Sequence, residues 1–147
     1  MGEGDHTPRI LVSDRQDALV DVEPLVAVAR EAMIGEGVAD AELSLSLVTD
    51  EEMADLHERY LGEPGPTDVL SFPLDDDDRD ESGIRILGDV VIAPSVAARN
   101  DPQDPGGELR LLVVHGILHL LGHDHVDAAG KAAMWARQSR YVKVRVP

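Results

Sequence analysis

Three histidines near the carboxyl end of the chain have the spacing of ligands for one metal ion. In the stretch VVHGILHLLGHDH, residues 113–125, they stand at His115, His119 and His125, with a glycine at Gly122. Residues four apart on a helix lie on one face, so His115 and His119 can bind the same ion. Gly122 predicts a left-handed helix end that turns the chain back, so that His125 supplies the third imidazole.

The neighbouring His123 is predicted to flank this site rather than to bind the ion. If the helix continued, the Cα atoms of His115 and His123 would lie ~12 Å apart, and their imidazoles would have to reach the ion along nearly one line. That arrangement suits tetrahedral zinc badly. The chain has no cysteine, so histidine and carboxylate must hold any metal, and we expect one Zn²⁺ per chain. The alternative is a pair of core histidines bonded to backbone carbonyls.

Metzincin zinc proteases share this ligand spacing, H-E-x-x-H-x-x-G-x-x-H, but Gly116 stands where they carry a glutamate. Three neutral imidazoles leave the ion its full charge, so a water molecule on a zinc ion held this way ionises near neutrality without that glutamate. Phosphodiester cleavage suits such a site better than amide hydrolysis does. The catalytic base stays open, with three candidate carboxylates, Asp68, Asp89 and Asp124. We favour Asp124 as a partner that orients a metal ligand.

Composition and charge limit the class of protein. The 147 residues are interpreted as one domain, 1–147. No run approaches the ~20 apolar residues of a membrane span, and the N-terminus lacks a signal-peptide pattern, so we expect a cytoplasmic protein without a membrane partner. The net charge of −16 argues against nucleic acid in general, DNA included. However, five of the 13 basic residues follow residue 125, where they predict a local basic surface.

Hydrophobic periodicity predicts the elements that must position these residues. Strands are predicted over 9–14, 42–50, 67–73 and 84–94, and helices over 20–37, 51–62, 95–100, 108–122 and 127–142. Leu43, Leu45 and Leu47 predict a strand with one buried face, and Thr49 or Asp50 is expected to cap the next helix. The fold class is α+β, a small mixed β-sheet of about four strands packed with helices, with the metal site at the end of an apolar helix.

Finer features of the chain give further expectations. Ser95 is expected to cap the short helix over 95–100, and residues 101–107 are interpreted as a turn. Trp135 is expected to anchor the last helix to the core. The acidic run over 75–81 is interpreted as a solvated loop, with weak calcium binding as the alternative.

Three segments resemble the YbeY family of bacterial endoribonucleases that mature ribosomal RNA. HGILHLLGHDH, 115–125, is similar to the family signature H-G-x-L-H-L-x-G-x-D-H. PGPTDVLSFPLD, 64–75, and LGDVVIAP, 87–94, are similar to its P-T-D-V-L-S-F-P and L-G-D-I-x-I segments, in the same order. The resemblance implies a zinc-dependent, single-strand-specific endoribonuclease acting in 16S rRNA 3′-end maturation and ribosome quality control. It also implies partners on the small ribosomal subunit and zinc held by His115, His119 and His125.

One position departs from the family pattern. Many members carry an arginine directly after an aromatic residue before P-T-D, whereas Leu61 follows Tyr60 here, and Arg59 is the candidate substitute. Other phosphate contacts are expected from Arg137, Arg140 and Lys143. The alternative interpretation is that these basic side chains only form ion pairs with acidic groups on the protein surface. Two further functions stay open, namely a zinc peptidase or small-molecule hydrolase on a metzincin-like cage, and a non-catalytic ribosome-assembly factor.

Overall fold

The computed structural model describes residues 7–74, 79–123 and 127–142. In chain order its elements are β1 (Arg9–Asp14), α1 (Glu23–Gly35), β2 (Glu42–Leu47), α2 (Asp50–Leu61), β3 (Val69–Pro73), β4 (Ile86–Ile92), α3 (Pro94–Asn100), α4 (Pro105–Leu120) and α5 (Ala128–Gln138). The four strands form one mixed sheet, and the helices pack around it. The predicted α+β class with about four strands is confirmed.

The sheet has the strand order β1-β2-β4-β3, with β1, β2 and β4 parallel and β3 antiparallel to β4. Successive side chains of a strand point to opposite faces. Leu43, Leu45 and Leu47 are fully buried in the larger core, as predicted. In β4, Val90 belongs to that same core, whereas Val91 belongs to a second cluster on the opposite face.

Different helices cover the two faces of the sheet. On the face of Val90, the core includes apolar side chains of α1 and α4. On the other face, Met53 of α2 packs with Leu70 and Val91. Helix α4 contacts β3, β4, α1, α3 and α5, and half of its 16 residues are buried. The sheet therefore separates the histidine-bearing helix α4 from α2. Within the described ranges, no helix is long and apolar enough to cross a membrane.

Helix starts follow local capping chemistry. Helix α2 begins after Thr49, whose Oγ1 accepts a hydrogen bond from the backbone N–H of Glu52 at 3.1 Å, so the predicted cap is confirmed. The prediction for Ser95 is wrong, because α3 begins one residue earlier, at Pro94, and Ser95 lies inside the helix. Proline suits the first helical position because it has no N–H to satisfy.

Helix α4 begins three residues earlier than predicted. The Asp104 carboxylate accepts a hydrogen bond from the backbone N–H of Gly107 at 3.0 Å, and Pro105 occupies the first turn. The predicted turn over 101–107 is therefore wrong in its last three residues, because the aspartate cap and the following proline outweigh two glycines. Leu109 and Leu112 of this helix belong to the core.

Trp135 does not anchor α5, contrary to the prediction. Met134 is 3% exposed and Gln138 is also buried, and these residues, four apart, define the inward face of the helix. Trp135 lies beside that face and is half-buried. The helix is also shorter than predicted, ending at Gln138.

The acidic stretch ends in a structured turn. Asp80 accepts hydrogen bonds from the backbone N–H groups of Ser82, at 2.8 Å, and Ile84, at 2.9 Å, and it receives the Arg9 guanidinium at 3.0 Å. These contacts hold the pKa of Asp80 at about 2, chiefly through the Ile84 hydrogen bond. The loop prediction for 75–78 and the calcium alternative concern residues outside those described. Asp80 itself is held in place by its hydrogen bonds to Arg9, Ser82 and Ile84.

Candidate metal centre

His115 and His119 lie on the same face of α4, as their spacing predicts. Their ring centroids are 4.6 Å apart, with an angle of 56° between the ring planes. Both side chains are half-buried in a helix whose other face is packed against the core. Two imidazoles placed this close on one face can bind a single ion, because nitrogen ligands reach zinc at about 2 Å.

Gln138 orients His115. The Gln138 side chain, on α5, is buried, and its Oε1 lies 2.6 Å from Nδ1 of His115. An amide oxygen only accepts, so Nδ1 carries the proton and Nε2 carries the lone pair that a metal ligand needs. Hydrogen bonds of this kind hold metal-binding histidines in one tautomer and one ring orientation. Within the described residues, His115 and His119 supply two nitrogen ligands of the kind that zinc takes, and no group of three potential metal ligands is found there.

Gly122 ends the histidine helix in the predicted way. Its φ is 95°, in the left-handed region, where glycine carries no Cβ penalty. The backbone N–H of Gly122 donates to the carbonyl of His119, and that of His123 donates to Leu118, each at 3.0 Å. This pair of bonds is a Schellman motif, which reverses the chain direction after a helix. His125, the predicted third ligand, and Asp124, the predicted orienting partner, lie outside the described residues, so both stay predictions.

His123 is directed toward a buried carboxylate. Its Nε2 lies 3.8 Å from Oε1 of Glu36, whose side chain is only 4% exposed. Oε1 of Glu36 also accepts a hydrogen bond from the Arg137 guanidinium at 2.7 Å, and its Oε2 accepts one from the Tyr141 hydroxyl at 2.5 Å. Burial raises the pKa of Tyr141, and the hydrogen bond to Glu36 raises it further. Glu36 thus joins the end of α1 to α5 and to His123, and the role of His123 beside the metal site stays a prediction.

Gly116 lies where α4 touches the sheet. A Cβ built on Gly116 would lie 2.6 Å from Cγ1 of Val90, and Ser71 donates its hydroxyl to the Gly116 carbonyl at 3.1 Å. A side chain at this position would thus point into the strands. The glutamate of a zincin has no space here, so the absence of that base is built into the packing of the helix.

The two described carboxylates that were candidate bases lie in different places. Asp68, just before β3, lines a cavity together with His115, and its Oδ2 accepts from Asn100 Nδ2 at 3.2 Å. Asp89 is exposed on β4, one residue before Val90, so its side chain points to the sheet face opposite α4. The candidacy of Asp89 was therefore wrong, because strand alternation separates it from the histidines, and Asp68 remains.

The cavity beside His115 has a volume of about 760 Å³ and lies between α4, α5 and the start of β3. Its lining is mainly apolar and includes Val69, Leu111 and Trp135. Its polar members are Asp68, Glu108, His115, Lys131 and Gln138. Its size is typical of small-molecule sites, which range from about 300 to 1,000 Å³. The lining residues on α5 could not be assigned from the sequence, because their contact with α4 is long-range.

The basic residues expected to contact RNA are largely engaged with acidic partners. Arg137 pairs with buried Glu36, and Arg140 lies 3.8 Å from the same carboxylate. Arg59 pairs with Asp55 one turn earlier in α2, at 2.9 Å. The alternative of pairing with acidic groups therefore holds for Arg137 and Arg59. Lys143 lies outside the described residues.

Comparisons with known proteins place the chain in a family. A family profile described as Endoribonuclease YbeY matches residues 12–144. The Endoribonuclease YbeY of Salinispora tropica is 41% identical over 144 residues, covering 89% of this chain and 92% of that protein. That of Frankia casuarinae is 46% identical over 132 residues, covering 82% of this chain and 66%, about two thirds, of that protein. The solution structure of TM1509 from Thermotoga maritima has a TM-score of 0.59 at 27% identity, covering 89% of this chain and 86% of that one.

The profile match extends over the histidine helix, the cavity-lining residues, β2, β3, β4 and the second half of β1. The resemblance seen in the three sequence segments is thereby confirmed over nearly the whole chain. The chain belongs to the YbeY family.

Proposed function

We propose that this protein is a metal-dependent, single-strand-specific endoribonuclease that acts in 16S rRNA 3′-end maturation and ribosome quality control. Membership of a family whose relatives are named endoribonucleases supports this proposal. The structural observation that carries it is the oriented pair of His115 and His119, with the Gln138 hydrogen bond fixing the tautomer of His115. The proposed setting is the cytoplasm, with ribosomal RNA and the small ribosomal subunit as partners.

The proposed metal is one Zn²⁺ per chain, held by His115, His119 and His125. When bound, such an ion supplies positive charge that polarises a phosphoryl oxygen and lowers the pKa of water. The residues of the chain perform the positioning. Gln138 holds the His115 ring, and the motif at Gly122 fixes where the helix ends and the chain turns. This leaves substrate orientation and proton transfer to groups in the adjoining cavity.

Asp68 is the proposed proton acceptor among the described residues. It lines the same cavity as His115, the Asn100 amide donates to its Oδ2 at 3.2 Å, and the Thr67 hydroxyl donates to its Oδ1 at 3.5 Å. Each carboxylate oxygen has two lone pairs, so both can still accept a further proton from water. Asp124 is the other candidate base, although we favour it as a partner that orients a metal ligand.

Peptide hydrolysis is the less favoured chemistry. A zincin glutamate would occupy position 116, and there the sheet leaves no space for a side chain. Peptide cleavage also requires protonation of a leaving amine, for which no acid is supplied by α4 at that position. The packing of Gly116 thus argues for phosphodiester cleavage over a peptidase on the same cage.

Metal analysis combined with an RNA cleavage assay tests the proposal. We expect the wild-type protein to hold about one zinc per chain and to cleave a single-stranded rRNA fragment in preference to its duplex. The His115→Ala/His119→Ala variant should lose both the metal and the cleavage. The matched control is His57→Ala, because His57 lies on α2, across the sheet, where its Nδ1 donates to the Gly65 carbonyl.

Two results would contradict the proposal. Full zinc occupancy in the double variant would remove the assigned metal site. A wild-type protein that is loaded with zinc and leaves single-stranded RNA intact would instead be a non-catalytic assembly factor.

A further inference from the structure

We propose that the cavity between α4 and α5 binds one nucleobase of the single-stranded RNA, with the base stacked on Trp135. This inference rests on the proposed function and adds a substrate subsite to it. The indole is half-buried and lines the cavity, together with the apolar side chains of Val69 and Leu111. An aromatic face in an apolar cavity is the usual platform for a base of single-stranded nucleic acid, because every base has a π-face.

The charges in and around the cavity favour a base over a phosphate. The carboxylates of Asp68 and Glu108 line it, and they would repel a phosphate group, whereas a base is neutral. Lys131 lines it as well and is exposed, so it is placed to contact a phosphate outside. The chain as a whole carries a net charge of −16, and Arg137 and Arg59 are engaged by carboxylates. Stacking is a source of affinity that this acidic surface does not oppose.

The cavity is within one nucleotide of the histidine pair. Trp135 and Gln138 are three residues apart on α5, which corresponds to a rise of about 4.5 Å. Gln138 is hydrogen-bonded to His115, and Leu111, one turn before His115 on α4, lines the same cavity. A base on Trp135 therefore places its own backbone, or that of the next nucleotide, beside His115. The stacked base would set which phosphodiester is presented to the metal site.

The fluorescence of Trp135 gives a direct test, since it is the only tryptophan of the chain. The full-length protein, carrying its metal, is titrated with nucleoside 5′-monophosphates, which contain no phosphodiester, and with ribose 5-phosphate. We expect saturable quenching by the nucleotides and none by the sugar phosphate. Equal quenching by ribose 5-phosphate, or no quenching by either compound, would overturn the proposal.

Substitution of Trp135 supplies the second test. Trp135→Leu keeps an apolar side chain and removes the stacking face, so the KM for single-stranded RNA should rise by about 5- to 150-fold, with a smaller change in kcat. Trp135→Phe should restore most of the affinity. Tyr60→Leu is the matched control, because Tyr60 is an exposed aromatic residue that contacts Phe72 on the other face of the sheet. An unchanged KM in Trp135→Leu would contradict the proposal.

The two proposals fail in different ways. If nucleotides quench Trp135 and the loaded protein does not cleave RNA, the base site stands and the nuclease function falls. If RNA is cleaved, nucleotides do not quench Trp135 and Trp135→Leu has a normal KM, the nuclease function stands and the base site falls. If Trp135→Leu does not fold, the quenching experiment on the wild-type protein decides alone.

Discussion

The buried amide oxygen of Gln138 accepts a hydrogen bond from Nδ1 of His115 across the contact between α5 and α4, at 2.6 Å. The two residues are 23 positions apart in the sequence, and the bond selects the nitrogen of His115 that faces a ligand. Gln138 is buried although it is polar, and such side chains are almost always hydrogen-bonded. A polar residue one turn after Met134, on the inward stripe of α5, was the sequence signal that could have identified it.

Replacing Gln138 by methionine should weaken zinc binding by about 10- to 100-fold, because the His115 ring loses its fixed tautomer and orientation. The measurement is zinc affinity by competition with a chelator. Gln103→Met, at an exposed position before α4, is the matched control and should bind zinc like the wild type. Wild-type zinc affinity in the Gln138 variant would show that the hydrogen bond does not support a metal ligand.

Gly116→Ala should lower the free energy of unfolding by roughly 1–3 kcal/mol, because the new Cβ would lie 2.6 Å from a methyl group of Val90. Urea denaturation measures this change. Gly106→Ala in the first turn of the same helix is the control, since its nearest neighbour is the flexible end of Arg110, at 3.7 Å. Alanine at position 106 should be neutral or stabilising. Equal effects at the two positions would be inconsistent with close packing at Gly116.

Glu36→Gln should destabilise the protein by about 1.5–3 kcal/mol, the range for hydrogen bonds to a charged group. The substitution removes the charge that Arg137 and Tyr141 share, in a side chain that is 4% exposed. Denaturant unfolding of this variant is compared with that of Glu31→Gln, an exposed position on α1. A loss no larger than in the Glu31 variant would show that the buried cluster contributes little to stability.

The lowered pKa of Asp80 predicts how the stability of the protein changes in acid. Its pKa is lowered from 3.8 to about 2 in the folded protein, so its stabilising contribution is complete above pH of about 4 and is lost as the pH falls through about 2. Wild type should therefore be more stable than Asp80→Ala near neutral pH, and the difference should shrink between about pH 4 and pH 2. Urea unfolding at a series of pH values checks this. A difference that stays constant across that interval would refute the assignment.

Local patterns in the sequence predicted the features that depend on neighbours along the chain. The Thr49 cap, the left-handed Gly122 and the shared face of His115 and His119 all follow from residues within one or two helical turns. The alternation of leucines in β2 likewise revealed the buried face of the sheet.

Features that depend on distant contacts were not visible in the same way. Glu36 and Arg137 are 101 residues apart, and nothing near Glu36 in the sequence marks it as buried. Trp135 was expected in the core because of its size, but Met134 takes that place, since the rotation of α5 is set by its packing on α4. Asp89 was a candidate base until the strand register placed it on the wrong face of the sheet.

The contact at Gly116 also limits how this fold could acquire a new chemistry. The Gly116 carbonyl accepts from Ser71, and Val90 fills the space where a side chain would begin, so the depth at which α4 lies on the sheet is set by the main chain. A designer who wanted a peptidase from this histidine cage could not introduce its glutamate by one substitution in α4. The carboxylate would have to come from another element. Asp68, directly before β3, already places a carboxylate in the cavity that His115 lines.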